Sequence, residues 1–259
     1  MEDHKKISVQ QGHWVLANVG KKVLRPGGIE LTQKMIASLH INSEDDVVEF
    51  APGLGLTAAI TCAQKPRSYT AVDRSAEAAD IVKNRLKGTN AKIIIANASE
   101  TTLPDACATK VYGEAMLSMH GKSHKQGIIN EAARILKPGG LYGIHELGLT
   151  SNHMDEELKK QIYRDMAQAL QSPLQPLSLA EWTALLEEAG FKVIAYHTNP
   201  MHLLSFKRMI QDEGICRFLA MMMRILPNKA VRQRVKGMRD VFQKYSNELN
   251  AITIIAQKQ

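Results

Sequence analysis

A short turn containing two glycines, set between a strand pattern and a helix pattern, constrains this sequence most. Residues 47–58 are Val-Val-Glu-Phe-Ala-Pro-Gly-Leu-Gly-Leu-Thr-Ala, so a β-branched run leads through Glu49 to the glycines and then to helix-forming residues. Glycine lets the main chain approach a ligand closely, and the helix that follows directs its positive end there. The stretch therefore predicts a strand, a loop and a helix that bind a nucleotide or nucleoside.

Strand and helix patterns alternate through the residues around this turn. Predicted strands span 45–50, 68–73, 91–95, 110–113, 141–146, 191–198 and 250–257, and predicted helices between the first five span 56–64, 75–86 and 126–136. Such alternation is typical of right-handed βαβ units, which build a parallel sheet. We expect an α/β protein with a doubly wound, Rossmann-like sheet that binds its ligand at the carboxyl ends of the strands.

Residues at the ends of these strands resemble one known family. Asp73 ends the second strand, where an acid can hold both hydroxyls of a ribose. Asn97-Ala98 follows the third strand, Leu103-Pro104 comes next, and Leu136-Lys137-Pro138-Gly139-Gly140 forms a turn before the fifth. With the glycine turn, this order is similar to class I S-adenosylmethionine-dependent methyltransferases, and most similar to the small-molecule branch of ubiquinone and menaquinone methyltransferases. The resemblance covers roughly residues 45–193 and implies a seven-stranded sheet, mostly parallel with an antiparallel last strand.

The resemblance implies S-adenosylmethionine as the cofactor and assigns residues to it. Glu49 would lie near the methionine amino group, Asp73 would hold the ribose, and Asn97 and Ala98 would face the adenine. The residues expected to bind the cofactor are Glu49, Ala51, Gly53, Gly55, Asp73, Arg74, Asn97, Ala98 and Gly113. The sequence departs from the usual motif at its first glycine, which here is Ala51 followed by Pro52.

A dehydrogenase is the main alternative for this fold. Its dinucleotide site requires a pyrophosphate at the start of the helix after the glycine turn. Glu49 precedes that turn, and a carboxylate there would repel a pyrophosphate but would attract an ammonium group. The sequence therefore favours methyl transfer.

Methyl transfer from a sulfonium requires an aligned nucleophile and, where that nucleophile carries a proton, a base. The candidate catalytic residues lie at the ends of the fourth and fifth strands: Glu114, His120, His145 and Glu146. Glu114 could instead hydrogen-bond the cofactor, His145 and Glu146 could be satisfied polar groups at a strand end, and a structural role is the alternative for each of the four. The four do not have the spacing of a metal site, and Cys62, Cys107 and Cys216 lie far apart, so no metal is expected.

Segments outside the common core are expected to recognise the substrate. Residues 1–44 predict leader helices over the cofactor site, with His13, Trp14 or Arg25 near the ligand, and residues 45–200 and 249–259 predict the core. Residues 201–248 predict a helical insertion that acts as a substrate lid; it carries six of the twelve methionines. A stiff loop over 172–177 is a further addition.

The charge of the chain is concentrated in that insertion. The formal net charge is +7, and ten Lys or Arg residues lie between Ser205 and Lys244, against three acidic residues. This segment could track RNA phosphates or could be the solvated face of a helix pair.

The predicted function is methylation of a small molecule. Nucleic acid is disfavoured as a partner, because the Asn/Asp-Pro-Pro-aromatic motif of amino methylation and the cysteine of RNA cytosine methylation are both absent after the fourth strand. RNA methylation and non-catalytic cofactor binding remain alternatives. No apolar run has the length of a membrane span, which favours a cytoplasmic protein.

Overall fold

The predicted strands form one sheet in the computed structural model, which describes residue 20, residues 25–201, residue 210 and residues 214–259. The strands in these ranges are β1 (Asp46–Phe50), β2 (Ser68–Asp73), β3 (Lys92–Ile95), β4 (Ala108–Glu114), β5 (Leu136–Leu149), β6 (Leu177–Ser178), β7 (Phe191–Pro200) and β8 (Leu249–Lys258). The helices are α1 (Gly28–Leu39), α2 (Leu56–Cys62), α3 (Ala76–Arg85), α4 (Lys122–Ile135), α5 (Glu156–Leu170), α6 (Leu179–Glu188), α7 (Ile215–Ile225) and α8 (Lys229–Lys244).

The sheet has the strand order β3-β2-β1-β4-β5-β8-β7. The strands β1 to β5 pair in parallel, whereas β8 runs antiparallel to both β5 and β7. This confirms the doubly wound, mostly parallel sheet with an antiparallel last strand. The two-residue β6, which pairs with β5 in parallel, is an additional strand that the sequence did not predict.

The strand order places a crevice at the ends of β1 and β4. The chain starts at β1, extends through β2 to β3 on one side, and then crosses to β4 and β5 on the other. Connections therefore leave in opposite directions from the carboxyl ends of β1 and β4, which is where ligands of such sheets bind.

The predicted Lys-Pro-Gly-Gly turn lies within β5 rather than before it. Leu136 pairs with Ala108, and the next pair is Leu141 with Lys110. Between these two pairs β5 advances by five residues and β4 by only two. Gly139 has a φ of 76°, a conformation that suits glycine. The turn residues are as expected, but the chain pairs with β4 on both sides of the turn.

Helix α4 begins four residues earlier than the sequence predicts. Lys122 to Lys125 contains no apolar residue, so the hydrophobic pattern becomes visible only near Ile128. Lys125 is nevertheless buried: its Nζ donates to the Gln175 carbonyl at 2.7 Å and lies 5.4 Å from the centre of the Trp182 ring.

Two apolar cores cover the faces of the sheet. Helices α4 and α6 pack on one face, where Trp182 is fully buried beside Ile128. Helix α1 packs on the other face, with Met35 and Leu39 against Ile255 of β8. Both faces of the central strands are therefore buried, as expected for a parallel sheet between helices.

The described part of the insertion packs on helix α5 and forms a third core, called here the Met-rich cluster. Its buried members are Leu147, Leu149, Ile162, Met166, Leu174, Met201, Met221, Ile225, Val231, Met238, Phe242, Tyr245 and Leu249. Met223, by contrast, is 69% exposed. Most of the insertion methionines that the structure describes thus pack the helices together.

Some of the predicted segments lie outside the described residues. These are the leader segment over 8–19 and 21–24, with His13 and Trp14, and the stretches 202–209 and 211–213 of the insertion, with Met209. In the described ranges, none of the helices combines the length and the apolarity needed to cross a bilayer.

Candidate functional site

The glycine turn between β1 and α2 has a left-handed backbone at three positions. Ala51, Gly53 and Gly55 have φ values of 51°, 55° and 70°, and Gly55 caps the start of α2. A left-handed conformation costs an L-residue about 1–2 kcal/mol relative to glycine. Ala51 therefore adopts the shape that the usual glycine would take, and the loop keeps its form at some energetic cost.

A cavity of about 530 Å³ opens at this turn, along the carboxyl ends of β1 to β4. Its volume lies within the roughly 300–1,000 Å³ that is typical of small-molecule sites. Arg25, which the sequence analysis expects near the ligand, lines the cavity. Of the thirteen candidate cofactor-binding and catalytic residues, nine also line it: Glu49, Ala51, Gly53, Asp73, Arg74, Asn97, Ala98, Glu114 and His120. The other four, Gly55, Gly113, His145 and Glu146, do not belong to its lining.

Two of these four are glycines that keep neighbouring groups close to the site. A Cβ on Gly113 would lie 3.0 Å from the Met116 sulfur, and Met116 lines the cavity. A Cβ on Gly55 would lie 3.2 Å from Arg85 Cδ. Arg85 Nε in turn donates to the carbonyl of Leu54 at 2.7 Å, and Leu54 lines the cavity. Each glycine therefore leaves room for a side chain that lines the cavity or contacts its lining.

The β2 end of the cavity presents an acid on an ordered turn. Asp73 Oδ1 accepts a hydrogen bond of 2.9 Å from the backbone N–H of Ser75, and burial raises the pKa of this carboxyl. At the end of β3, Asn97 Oδ1 accepts from the backbone N–H of Ser99 at 3.2 Å. These turns hold Asp73 and Asn97 in place beside the cavity.

Glu49 is buried at the end of β1 beneath the glycine turn. Tyr112 donates to its Oε2 at 2.7 Å, and Tyr69 donates to the same oxygen. Burial raises the pKa of Glu49 to about 7, although the two hydroxyls act in the opposite direction. Close to neutral pH this side chain therefore exists in both its charged and its neutral form.

Glu114, at the end of β4, is the centre of a dense polar network. Its Oε1 accepts from Thr32 at 2.6 Å and contacts His145 Nδ1 at 2.7 Å. Its Oε2 accepts from Arg25 Nη1 at 2.5 Å and from Thr57. Burial alone would raise the pKa of Glu114, but the Arg25 charge and the bonds from His145 and Thr32 hold it at about 2.

His145 lies behind the cavity wall and is fully buried. Its Nδ1 contacts Glu114, and its Nε2 lies 2.6 Å from the Pro26 carbonyl oxygen. Since both ring nitrogens are engaged, neither is available to an acceptor in the cavity. The geometry assigns His145 to the positioning of Glu114 and of the segment that leads into α1.

Glu146 faces the opposite side of β5 and is also fully buried. Its carboxylate accepts from the backbone N–H groups of Met116, Leu117 and Ser118 at 3.0, 2.8 and 3.0 Å, and from Ser118 Oγ at 2.7 Å. It thereby fixes the 3₁₀ turn Leu117–Met119 that leads away from β4. The geometry gives Glu146 a structural role at this turn.

Two histidines lie side by side at the cavity. The rings of His120 and His124 lie 4.4 Å apart, and both residues line the cavity. Burial, with the nearby His124, Arg74 and Lys125, lowers the pKa of His120 to about 4. His120 is therefore uncharged at neutral pH.

The loop after α5 also lines the cavity, through Ser172 and Pro173. It is tied to the core because Gln175 donates its backbone N–H to the Ser118 carbonyl at 2.7 Å and accepts from Lys125. The prolines predict a stiff loop. These long-range hydrogen bonds, which the local sequence does not indicate, hold the loop at the cavity. Met119 and His124 also line the cavity, and the sequence analysis did not single them out.

A metal site was not expected, and the described residues contain no group of three or more His, Cys, Asp or Glu side chains that could hold a metal.

Comparison with known proteins identifies the family. Residues 47–140 match the family described as "Methyltransferase domain". An uncharacterised protein of Haemophilus influenzae is 31% identical over 251 residues, which cover 95% of this chain and 98% of that protein. The chain belongs to the class I S-adenosylmethionine-dependent methyltransferases.

Two solved structures show the same fold. One is phosphoethanolamine N-methyltransferase 2 of Haemonchus contortus, in complex with phosphomonomethylethanolamine and S-adenosylhomocysteine; its TM-score is 0.70 at 16% identity, over 98% of this chain and 58% of that one. The other is the cyclopropane synthase MmaA2 of Mycobacterium tuberculosis, with a TM-score of 0.68 at 12% identity, over 89% of this chain and 84% of that one.

S-adenosylmethionine is the cofactor that this family uses, and the cavity has the chemistry to hold it. An acid at β2 suits the ribose, and a glycine turn at the start of α2 allows close approach. Ionisable groups are concentrated at the β1 and β4 end, where Glu49, Glu114 and Arg25 line the wall. A zwitterionic amino acid group needs such a mixture of charges.

Proposed function

We propose that the protein transfers the methyl group of S-adenosylmethionine to a small-molecule acceptor that enters beside His120, Ser172 and Pro173. The observation that carries this proposal is a continuous cavity of about 530 Å³ whose lining extends from Asp73 to Glu114 and includes those three residues. Its size suits the cofactor together with a compact acceptor.

The residues at the carboxyl ends of the strands would orient the cofactor. Asp73 would accept hydrogen bonds from the ribose, with Arg74 beside it, and Asn97 and Ala98 would face the adenine. Glu49 would face the ammonium group, and the turn from Ala51 to Gly55 would supply backbone contacts. When bound, the cofactor supplies a methyl group that is already activated by its sulfonium sulfur.

The cavity provides alignment rather than strong base catalysis. Glu114, with a pKa of about 2 and hydrogen bonds on both oxygens, is a weak base. His120, with a pKa of about 4, is the stronger base of the two, although it is also weak. We therefore propose that His120 receives the proton if the acceptor carries one, and we favour acceptors that are nucleophilic without strong deprotonation.

We propose the insertion over 201–248 as a lid for the acceptor side. Met119 supports this because it lines the cavity and also packs against the Met-rich cluster. The described part of the insertion contributes no residue to the cavity lining. Met119 is therefore the residue through which the proposed lid would reach the cavity, because it contacts both the Met-rich cluster and the cavity.

Binding experiments separate methyl transfer from a dinucleotide reaction. S-adenosylmethionine and S-adenosylhomocysteine should raise the melting temperature of the protein, with a shift that grows with ligand concentration, and NAD should not. Asp73→Asn should weaken both ligands at least tenfold, because it removes a charged acceptor for the ribose hydroxyls. Asp80→Asn on the exposed surface of α3 is the matched control and should bind as wild type.

The same preparation tests the two remaining functions. Absence of binding to mixed RNA at low salt would exclude RNA modification, which would otherwise use the exposed Lys229, Arg232 and Lys236 of α8. Cofactor binding without turnover of any compound in a broad metabolite panel would favour a non-catalytic binding protein. Stabilisation by NAD instead of S-adenosylmethionine would overturn the proposal.

A further inference from the structure

Arg25 is a buried cation at the cavity wall whose hydrogen-bonding capacity is only partly used. It is 9% exposed, and Nη1 donates to Glu114 Oε2 and to Thr57 Oγ1. Its Nε and Nη2 are shielded from solvent and have no hydrogen-bond partner among the residues that the structure describes. Buried donors are nearly always paired in folded proteins, so two unpaired donors on one guanidinium indicate a missing acceptor.

The position of Arg25 indicates which ligand group supplies that acceptor. Along the edge of the sheet the order β3-β2-β1-β4 places Asn97, Asp73, Glu49 and Glu114 in sequence. If adenine lies at β3 and ribose at β2, the amino acid end of the cofactor lies at β1 and β4. Arg25 is bonded to the end of β4 and to Thr57 in the first turn of α2, so it lies at that end.

The ion pair with Glu114 fixes the orientation of the guanidinium. Glu114 and Thr57 occupy Nη1, and Thr32 and His145 hold the carboxylate from its other oxygen. A planar guanidinium that is held by one nitrogen keeps its remaining donors in a fixed direction. Such a pre-oriented group matches the geometry of a carboxylate, which is the one anionic group of S-adenosylmethionine.

We propose that Arg25 binds the carboxylate of the cofactor through Nε and Nη2, while the Glu114 network holds it in place. This inference rests on the proposed orientation of S-adenosylmethionine in the cavity. The segment before α1 then contributes directly to cofactor selection, and Arg25 and Glu49 together recognise the zwitterionic end.

The test compares two ligands that differ only by the carboxylate: S-adenosylmethionine and decarboxylated S-adenosylmethionine. Equilibrium affinities are measured by calorimetry for the wild type and for Arg25→Gln. The wild type should prefer S-adenosylmethionine by about 10- to 100-fold, the worth of a charge-assisted pair of hydrogen bonds. In Arg25→Gln the two affinities should become equal within about threefold.

Two controls keep the test decisive. 5′-Methylthioadenosine, which lacks the whole amino acid end, should bind the wild type and Arg25→Gln alike and so shows that the variant cavity is folded. Arg74→Gln removes another cavity-lining arginine and should change both affinities by the same factor. If Arg25→Gln fails to fold, Arg25→Lys serves instead and should keep only part of the preference.

The failure of this inference is distinguishable from the failure of the proposed function. If Arg25→Gln binds all ligands but keeps the wild-type preference for the carboxylate, Arg25 is not the carboxylate site. If the wild type binds neither S-adenosylmethionine nor 5′-methylthioadenosine, the proposed cofactor orientation fails as well.

Discussion

At the scale of single residues, Glu49 is a buried carboxyl group whose pKa lies near neutral pH. Two tyrosine hydroxyls bind one of its oxygens, and burial still raises its pKa to about 7 from an ordinary value of 4.5. The folded protein therefore holds this proton more tightly than the unfolded chain does. The titration of this one side chain therefore makes the free energy of unfolding depend on pH.

We expect Glu49→Gln to change the slope of stability against pH. A raised folded-state pKa means that the stabilising contribution of Glu49 is complete below about pH 4.5 and is lost as pH rises through about 7. Over that window the wild type should lose roughly 3 kcal/mol relative to the variant, which has no titrating group. Urea unfolding without ligand at several pH values between 4 and 8 measures the difference.

The exposed Glu157→Gln on α5 is the control for this experiment, and its curves should follow those of the wild type. A Glu49→Gln protein whose stability parallels that of the wild type across the whole pH range would contradict the raised pKa.

At the scale of secondary-structure elements, β5 shows that a position at the end of a strand does not by itself place a residue in the cavity. His145 and Glu146 are consecutive, so their side chains point to opposite faces of the sheet. His145 reaches Glu114 and the carbonyl of Pro26, whereas Glu146 reaches the turn after β4. The sequence places both residues at the correct end of the correct strand, but their partners come from segments far away in the chain.

We expect Glu146→Ala to destabilise the fold rather than to remove a catalytic group. Three backbone N–H groups and the Ser118 hydroxyl would lose their acceptor inside the protein, at a cost of about 3 kcal/mol or more. Glu146→Gln should cost less, because its amide oxygen can still accept from Met116 and Leu117. Urea unfolding measures both variants.

A catalytic role would give a different pattern. If Glu146→Ala unfolds like the wild type but loses turnover with a native cofactor affinity, the carboxylate acts on the acceptor and not on the 3₁₀ turn. A normal cofactor affinity per folded molecule, together with reduced stability, supports the structural role.

At the scale of the whole molecule, the succession of strands along the chain, the doubly wound class of the sheet and the residues at the strand ends were accessible from the sequence. The glycine turn, Asp73 and Asn97 lie at strand ends by local pattern, and all of them reach one cavity because parallel strands end on the same edge. The contributions of Ser172, Pro173 and Met119 depend on long-range bonds such as that from Gln175 to Ser118. Local periodicity contains no information about such pairings.

The Met-rich cluster is a separate core that joins the described part of the insertion to α5 and to the ends of β5 and β8. Met238 lies at 0% exposure within it, and Met223 on the neighbouring α7 is 69% exposed. Met119 packs on this cluster and also lines the cavity, but none of the described buried members of the cluster does. Stability and cofactor binding should therefore respond separately to changes in these buried members.

We expect Met238→Ala to lower the free energy of unfolding by about 2–4 kcal/mol, because it removes a buried side chain and leaves a cavity. Met223→Ala, the matched control, should stay within about 0.5 kcal/mol of wild type. The added stability at a saturating concentration of S-adenosylhomocysteine should be the same for all three proteins, since neither methionine lines the cavity. Chemical unfolding with and without the ligand measures both quantities.

Two outcomes would contradict this prediction. Equal stabilities of the two variants would show that α8 does not depend on this core. A ligand effect that is lost in Met238→Ala alone would show that the core supports the cofactor cavity directly.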